Sequence, residues 1–440
     1  MTDVALIGSP SDDNAGLRRP DLSEGRIRRR YAAERRFRLY GILAIGFAVF
    51  MLGFLAITVV LQGYSAFWQT RLVLDVNIDP AEVDPANTRL PESLMQGNYL
   101  AVVRESLRGL FPEVDSRADR RSLNEFLSNA AGDDVRRMVL ANPALVGTTQ
   151  RVEVLTSDEI DMLAKGHIDR DAAETDRPIK DQQVAWFDKL ESEGRIVSSF
   201  NVDFFTTGDS REPEQAGVGG ALMGSLLTIL TAIILSLPIS VAAAIYLEEF
   251  APKNRITDII EININNLAAV PSIVFGLLGL AVLLGFFGLP RGAPLVGGMV
   301  LSLMTLPTII IATRAALKAV PPSIREAAYG VGASKQQVVM HHVLPLAMPG
   351  VMTGAIIGTA RAMGESAAVL MIGMVAFIVD VPKGITDPAT VLPVQIFLWA
   401  DAPERAFVER TSAGIMVMLV FLVLMNAAAV VIRRRFERRW

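Results

Sequence analysis

The 440-residue chain contains no cysteine, so it can form neither a disulfide nor a thiolate metal site. Histidine is almost as scarce. His341 and His342 are adjacent, and adjacent residues on a helix point in different directions, so the pair makes a poor metal site. Together with His167 they read as surface histidines. No G-x-x-x-x-G-K-[ST] loop occurs. Gly330-Val331-Gly332-Ala333-Ser334-Lys335 has a similar composition but the wrong spacing, so the chain lacks the phosphate cradle of a nucleotide hydrolase. No nucleophile–base set or metal cluster appears either, which argues against an enzyme. Charged residues make up only 20% of the chain.

Apolar residues fill that space. Hydrophobic residues are 51% of the chain and the mean hydropathy is +0.38, which places it in a membrane class. They collect in runs near 40–61, 219–245, 264–288, 293–316, 347–378 and 413–432. A run of about 20 residues crosses a hydrocarbon layer of roughly 30 Å. Residues 1–39 form a basic tail with nine arginines, among them Arg28, Arg29, Arg30, Arg35, Arg36 and Arg38. A cleaved signal peptide has a short basic start and an apolar core of about 7–15 residues; here the tail is longer and the run spans a bilayer. Residues 40–62 therefore read as an uncleaved first transmembrane helix.

Charge divides the chain. Residues 63–218 carry 17 basic and 28 acidic residues, a net −11, against +7 for the rest. That segment is long enough to fold as one α+β domain. Residues 117–140 read as helix, 150–155 as strand, and 184–190 as a short helix carrying Trp186 and Phe187. The basic N-terminal tail and the C-terminal tail 433–440, with Arg433, Arg434, Arg435, Arg438 and Arg439, place both termini in the cytoplasm. The Arg run is a topological anchor rather than a nucleic-acid patch. Six spans satisfy that arrangement, and 63–218 is then outside, in the periplasm of a two-membrane bacterium. Trp399 and Trp440 fit interface anchors. Pro238, Pro271 and Pro307 kink or start helices.

The loop 314–346, between spans four and five, carries the most specific pattern. Pro321-Pro322 interrupts span four, and Ser323 with Glu326 has capping-box spacing. Gly330 and Gly332 end that helix, and Ser334 with Gln337 opens a second one that runs to Pro345. Within it, Glu326-Ala327-Ala328, Gly332 and Leu344-Pro345 match the spacing of the EAA motif, so the segment resembles the coupling loop of ABC importer permeases. His342 departs from that pattern, where the family usually has an apolar residue. The resemblance implies a type I permease core of six transmembrane helices, an all-α polytopic membrane protein with an inserted α+β extracytoplasmic domain. It also implies that Glu326, Ala327, Ala328, Gly332, Leu344 and Pro345 in the loop 321–345 dock a separate ATPase. The alternative is a plain capped turn.

Span five contains Arg361-Ala362-Met363-Gly364-Glu365-Ser366. A charge at mid-membrane costs about 2.5–3.5 kcal/mol on the insertion scale and usually marks a pathway. Four residues on, Glu365 would share a helical face with Arg361, and an Arg fork suits a tetrahedral oxyanion. The run Asn265-Asn266-Leu267-Ala268-Ala269-Val270-Pro271-Ser272 continues through Gly276 at the start of span three. Both segments resemble signatures of the phosphate importer's two permease subunits. The likeness covers roughly residues 40–60 and 217–440 and leaves out 63–218. Most such subunits have a short loop there; some resemble this chain in carrying an insertion.

That resemblance implies a pathway role for Arg361, Glu365 and Ser366, and a pore or structural role for Asn265, Asn266, Pro271 and Ser272. It implies a second phosphate permease subunit, two copies of an ATPase that hydrolyses ATP with Mg, and a periplasmic phosphate-binding protein. The chain itself would bind no cofactor, contact membrane lipid and no nucleic acid, and reside in the bacterial inner membrane. Two points stay open at this stage. Arg361 and Glu365 either meet the anion or form a packing pair, and 63–218 either contacts a partner or decorates the surface. The rival functions are a permease for another oxyanion, sulfate or molybdate, and a membrane-anchored sensor using 63–218. Six spans without a cytoplasmic output domain count against the sensor.

Overall fold

The computed structural model describes residues 24–375 and 377–436; the start of the basic tail, Arg438, Arg439 and Trp440 lie outside the described residues. The chain divides after Thr58 into two units. The first holds most of helix α1 (Glu24–Gly63). At about 1.5 Å per residue its 40 residues far exceed a bilayer's hydrocarbon core. The part of the basic stretch from Glu24 to Leu39 is helical and continuous with the apolar run. Its apolar side chains, from Ile42 to Leu55, are exposed on all sides, as a helix partnered by lipid or by other chains requires.

In the second unit the chain leaves α1 through one 3-10 turn and enters β1 (Trp68–Asn77). Strands β2 (Thr149–Leu155) and β3 (Ile196–Phe200) flank it in the order β2-β1-β3, both antiparallel. Central β1 buries Leu72, Val73, Leu74 and Val76. It is covered by α2 (Tyr99–Gly109), α3 (Arg117–Asn124), α4 (Ala131–Ala141), α5 (Asp158–Ala164) and α6 (Asp181–Ser192). Phe111, Phe126, Trp186 and Phe187 close the core. One helix over 117–140 is expected from sequence, but two form. The Ser/Asn-rich joint lets Leu127 bridge Thr156 in an extended pairing and puts Phe126 in the core.

The long helices follow. Helix α7 (Gly219–Ile245) runs into a π turn at Tyr246–Phe250, and α8 (Arg255–Ala268) meets α9 (Ser272–Leu278) at a 105° bend. Next come α10 (Pro294–Lys318), α11 (Pro322–Gly330), α12 (Leu344–Met363), α13 (Ala367–Met371), α14 (Leu392–Ala400) and α15 (Ala406–Phe436). Among the described residues, five helices are long and apolar enough to cross a membrane, or six if the bent pair is one span. Small residues set their contacts: a Cβ at Gly298 would lie 2.5 Å from Thr231, and one at Gly350 2.5 Å from Ala316.

Four local expectations change. The third apolar run is broken at Ala269–Pro271, because Pro271 lacks an N–H and turns Val270 away from helix. The fifth ends at Met363, not near 378. The second loop helix does not stop at Pro345. The Ser334–Gln337 capping box forms, and a π turn at Val338–Val343 then carries the chain into α12 as one 29-residue span. A wider turn ahead of Pro345 accommodates its ring and missing donor. Trp399 is no interface anchor: it is 3% exposed, and its indole N–H donates to Asp209 Oδ1 at 2.9 Å.

The segment between α1 and α7 is fastened to the helices. Phe204 packs on Trp399, Arg410 donates to the Ala66 carbonyl at 3.3 Å, and Lys165 reaches Glu409 at 2.9 Å. Beside this seam Glu214, 4% exposed, accepts from Ser128 Oγ through Oε1, while its Oε2 has no partner. Burial pushes its carboxyl up to about 7, with Asp158 and Glu212 adding to the rise. A raised carboxyl pKa means that the folded state holds a proton the unfolded chain releases. Stability is therefore full below the unfolded value of 4.5 and falls as pH rises toward 7. Glu214→Gln is expected to flatten that part of the pH profile and to stabilise the protein at pH 8 by up to about 3 kcal/mol. Thermal unfolding in detergent at pH 5 and pH 8 checks this; parallel profiles for both proteins would refute it.

Candidate functional site

The apolar body is interrupted where α12 ends. Arg361 lies in the last turn of α12 and is exposed, while the next two residues, Ala362 and Met363, are buried. Among the described residues its guanidinium has no hydrogen bond or ion pair. Gly364 leaves helical geometry, at φ −88° and ψ 1°, and the chain restarts as α13. Glu365 Oε1 accepts from the Ala367 and Ala368 N–H groups at 3.0 and 3.4 Å. The shared helical face expected for Arg361 and Glu365 is therefore absent. The helix ends first, and the carboxylate takes the orphan amides of the next one. Ser366 occupies the N-cap position of α13 without a side-chain cap bond.

A second signature meets this break. Helix α9 begins at Ser272, with Pro271 as its extended N-cap residue, and packs on α13. A Cβ at Gly276 would stand 2.7 Å from the Ala368 carbonyl oxygen, so only glycine permits that approach. Phe275, Val369 and Ile372 bury the contact. Pro271–Gly276 and Arg361–Ala368, almost ninety residues apart, thus form one structural unit. Asn265 and Asn266 do not join it; they sit exposed on α8, before the bend.

The coupling segment is built differently from its sequence reading. Helix α11 starts at Pro322, with Pro321 as N-cap and no side-chain cap bond, so the Ser323–Glu326 box does not form. Glu326 and Ala327 are exposed. Ala328 is 5% exposed and packs among Leu317, Val320, Val338 and Val343, which makes it a support of the helix and not an outward contact. Gly332 has φ +86°, the left-handed turn that favours glycine. Leu344 and Pro345 are half-buried at the start of α12. His342, the departure from the EAA pattern, lines a 650 Å³ groove with His341, Val320, Ile324 and Pro345.

Sequence reasoning missed the charges that hold this helix. Arg325 pairs with Glu249 at 2.8 Å and donates to the Val320 and Leu317 carbonyls at 2.6 and 2.9 Å. It closes the C-terminal end of α10 and ties α11 to the π turn after α7. Arg314 reaches Glu248 at 3.4 Å and Glu261 at 2.5 Å, linking α10 to α8 and to the π turn after α7. The Lys335 ammonium lies 5.2 Å from the centre of the Phe250 ring. The adjacent Glu248-Glu249 pair closing an apolar run was the available signal.

Residues 236–440 match the binding-protein-dependent transport system inner membrane component family. Residues 24–174 match a domain of unknown function, DUF3333, which covers all of α1 and the sheet-containing segment up to a point before β3. The probable ABC transporter permease protein YqgI of Bacillus subtilis is 32% identical over 40% of this chain and 59% of its own length. The phosphate transport system permease protein PstA 1 of Mycobacterium tuberculosis is 31% identical over 52% of this chain and 74% of its own. Inward-facing structures of the MetNI methionine ABC transporter include one with a TM-score of 0.41 and 19% identity, over 50% of this chain and 96% of that one. The match of the helical body to the family and the 31% identity over 74% of PstA 1 place the chain: it belongs to the binding-protein-dependent transport system inner membrane component family, the permease subunits of ABC transporters.

Proposed function

We propose that the chain is the PstA-type permease subunit of an ATP-driven importer of inorganic phosphate. It forms the translocation pathway with a second, PstC-like permease. Two PstB-like ATPases bind and hydrolyse ATP with Mg and dock on α11, and a PstS-like binding protein delivers phosphate from the periplasm. Both termini are cytoplasmic and residues 63–218 lie outside, following the distribution of basic residues next to the apolar runs.

The observation that carries the site is Arg361: a guanidinium beside a helix break, in an apolar body, with no partner among the described residues. Its fork suits a tetrahedral oxyanion at the face shared with the second permease. Glu365 and Ser366 shape the break, and Pro271, Ser272 and Gly276 brace it through α9. Glu326, Ala327 and Gly332 present the docking surface; Ala328, Leu344 and Pro345 support it. Asn265 and Asn266 would act on the far side of the α8–α9 bend.

The test is uptake of radiolabelled phosphate by cells lacking their own phosphate importer and expressing this chain with its three partners. Saturable uptake, resistant to excess sulfate and molybdate, is expected. Uptake of sulfate or molybdate in place of phosphate would keep the permease and overturn its substrate.

A further inference from the structure

Exposed aromatic rings line the foot of the sheet-containing segment, where the chain leaves α1. Tyr64, Trp68 and Phe200 are each at least half exposed, as is Val202 beside them. The rings form a continuous row: Trp68 meets Phe200 edge-on at 6.0 Å, Phe200 stacks on Phe205 at 5.9 Å, and Phe205 stacks on Phe67 at 5.7 Å. Trp68 and Phe200 are cross-strand partners on β1 and the edge strand β3. A soluble domain would hide such a row or break it with charge.

Its location tells what covers it. Tyr64 follows directly on the last residue of α1, and a Cβ at that residue, Gly63, would stand 2.7 Å from the backbone of Ser412 and Ala413 in α15. At the other end, Val218 N–H donates to the Phe204 carbonyl at 2.7 Å, and Gly219 begins α7 against the Phe205 carbonyl. One end each of three apolar helices converges on this row, so it lies at the level where their apolar surface stops. Tyr and Trp favour that layer because an apolar ring and a polar tip match the two sides of the boundary.

We infer that the Trp68–Phe200–Phe205–Phe67 row, with the exposed Tyr64 beside it in the chain, is a membrane-interface anchor that seats the sheet-containing segment on the lipid headgroups of the outer leaflet. The inference rests on the chain being a membrane permease and not on which anion it carries. The segment is then a body lying on the bilayer, with β3 shielded from edge-to-edge pairing by lipid.

The absence of cysteine makes the test direct, since one introduced thiol takes one spin label. Full-length chain assembled with its partners is placed in nanodiscs of phosphatidylethanolamine and phosphatidylglycerol. Labels at Phe200→Cys and, leaving every ring in place, at Val202→Cys are compared for collisions with oxygen and with a water-soluble nickel chelate. Leu90→Cys serves as the aqueous reference and Ile234→Cys, exposed on α7, as the lipid reference. Accessibility between the two references at both positions, with oxygen collisions raised at least twofold over Leu90→Cys, is expected. Values equal to those of Leu90→Cys overturn the anchor. Shielding from both reagents that appears only with the second permease present also overturns it, in favour of a protein contact. An aqueous reading at Ile234→Cys would instead refute the membrane reading of α7 itself.

Discussion

Arg361→Gln is expected to lower phosphate uptake about 10- to 100-fold, the loss of one charge-assisted contact worth about 1.5–3 kcal/mol, while binding of the ATPase subunits is unchanged. The side chain is exposed and makes no hydrogen bond or ion pair among the described residues, so its removal leaves no buried group without a partner. An effect on transport would therefore report the anion and not the fold. Arg361→Lys keeps the charge and loses the fork, and is expected to fall between the two. Glu365→Gln separates two accounts of the neighbouring carboxylate. If Glu365 balanced Arg361, neutralising it would alter uptake as strongly as changing Arg361. Glu365 instead accepts from the Ala367 and Ala368 amides, and a glutamine oxygen still accepts, so uptake within about twofold of wild type is expected. Uptake assays with a pull-down of the ATPase check all three. Normal uptake by Arg361→Gln would remove it from the anion path.

Lys165→Met is expected to destabilise the protein by about 3–5 kcal/mol, as breaking a buried ion pair on one side does. The Lys165 ammonium stands 2.6 Å from Asp161 and 2.9 Å from Glu409, and all three side chains are no more than 10% exposed. Asp161 belongs to α5 and Glu409 to α15, so this cation joins the sheet-containing segment to the last long helix. Removing it leaves two carboxylates facing each other away from water. Adding Asp161→Asn and Glu409→Gln is expected to recover most of the loss, since the cost comes from the uncompensated charges. Thermal unfolding in detergent reads both variants. A midpoint unchanged by Lys165→Met would show that the seam is held without this ion pair, by contacts such as those of Phe204, Trp399 and Phe407 and the Arg410–Ala66 hydrogen bond.

Much of this was legible in the chain itself. Runs of about 20 apolar residues have one physical outcome in a bilayer, a helix that satisfies its own backbone, and α7, α10 and α15 lie where those runs lie. Local rules also held where the signal was local: the Ser334–Gln337 capping box forms, α11 ends at Gly330, Gly332 takes the left-handed turn, and strand β2 sits within a residue of its alternating pattern.

Tertiary structure decided the rest. An apolar run does not reveal where it breaks, because Gly364 and Val270-Pro271 can kink a helix or end one. Here α13 packs on Gly276 of α9, and that contact makes the break the better solution. The same contact separates Glu365 from Arg361, which continuous helical spacing had placed together. Ala327 and Ala328 are identical in sequence, yet one is exposed and the other buried, because only the second faces the π turn at Val338–Val343. Arg325 and Glu249 stand 76 residues apart and meet only when α7 and α10 are side by side. Periodicity along the chain reports which face of an element is apolar; which element covers that face, and which charges meet there, depends on packing between segments that are remote in sequence.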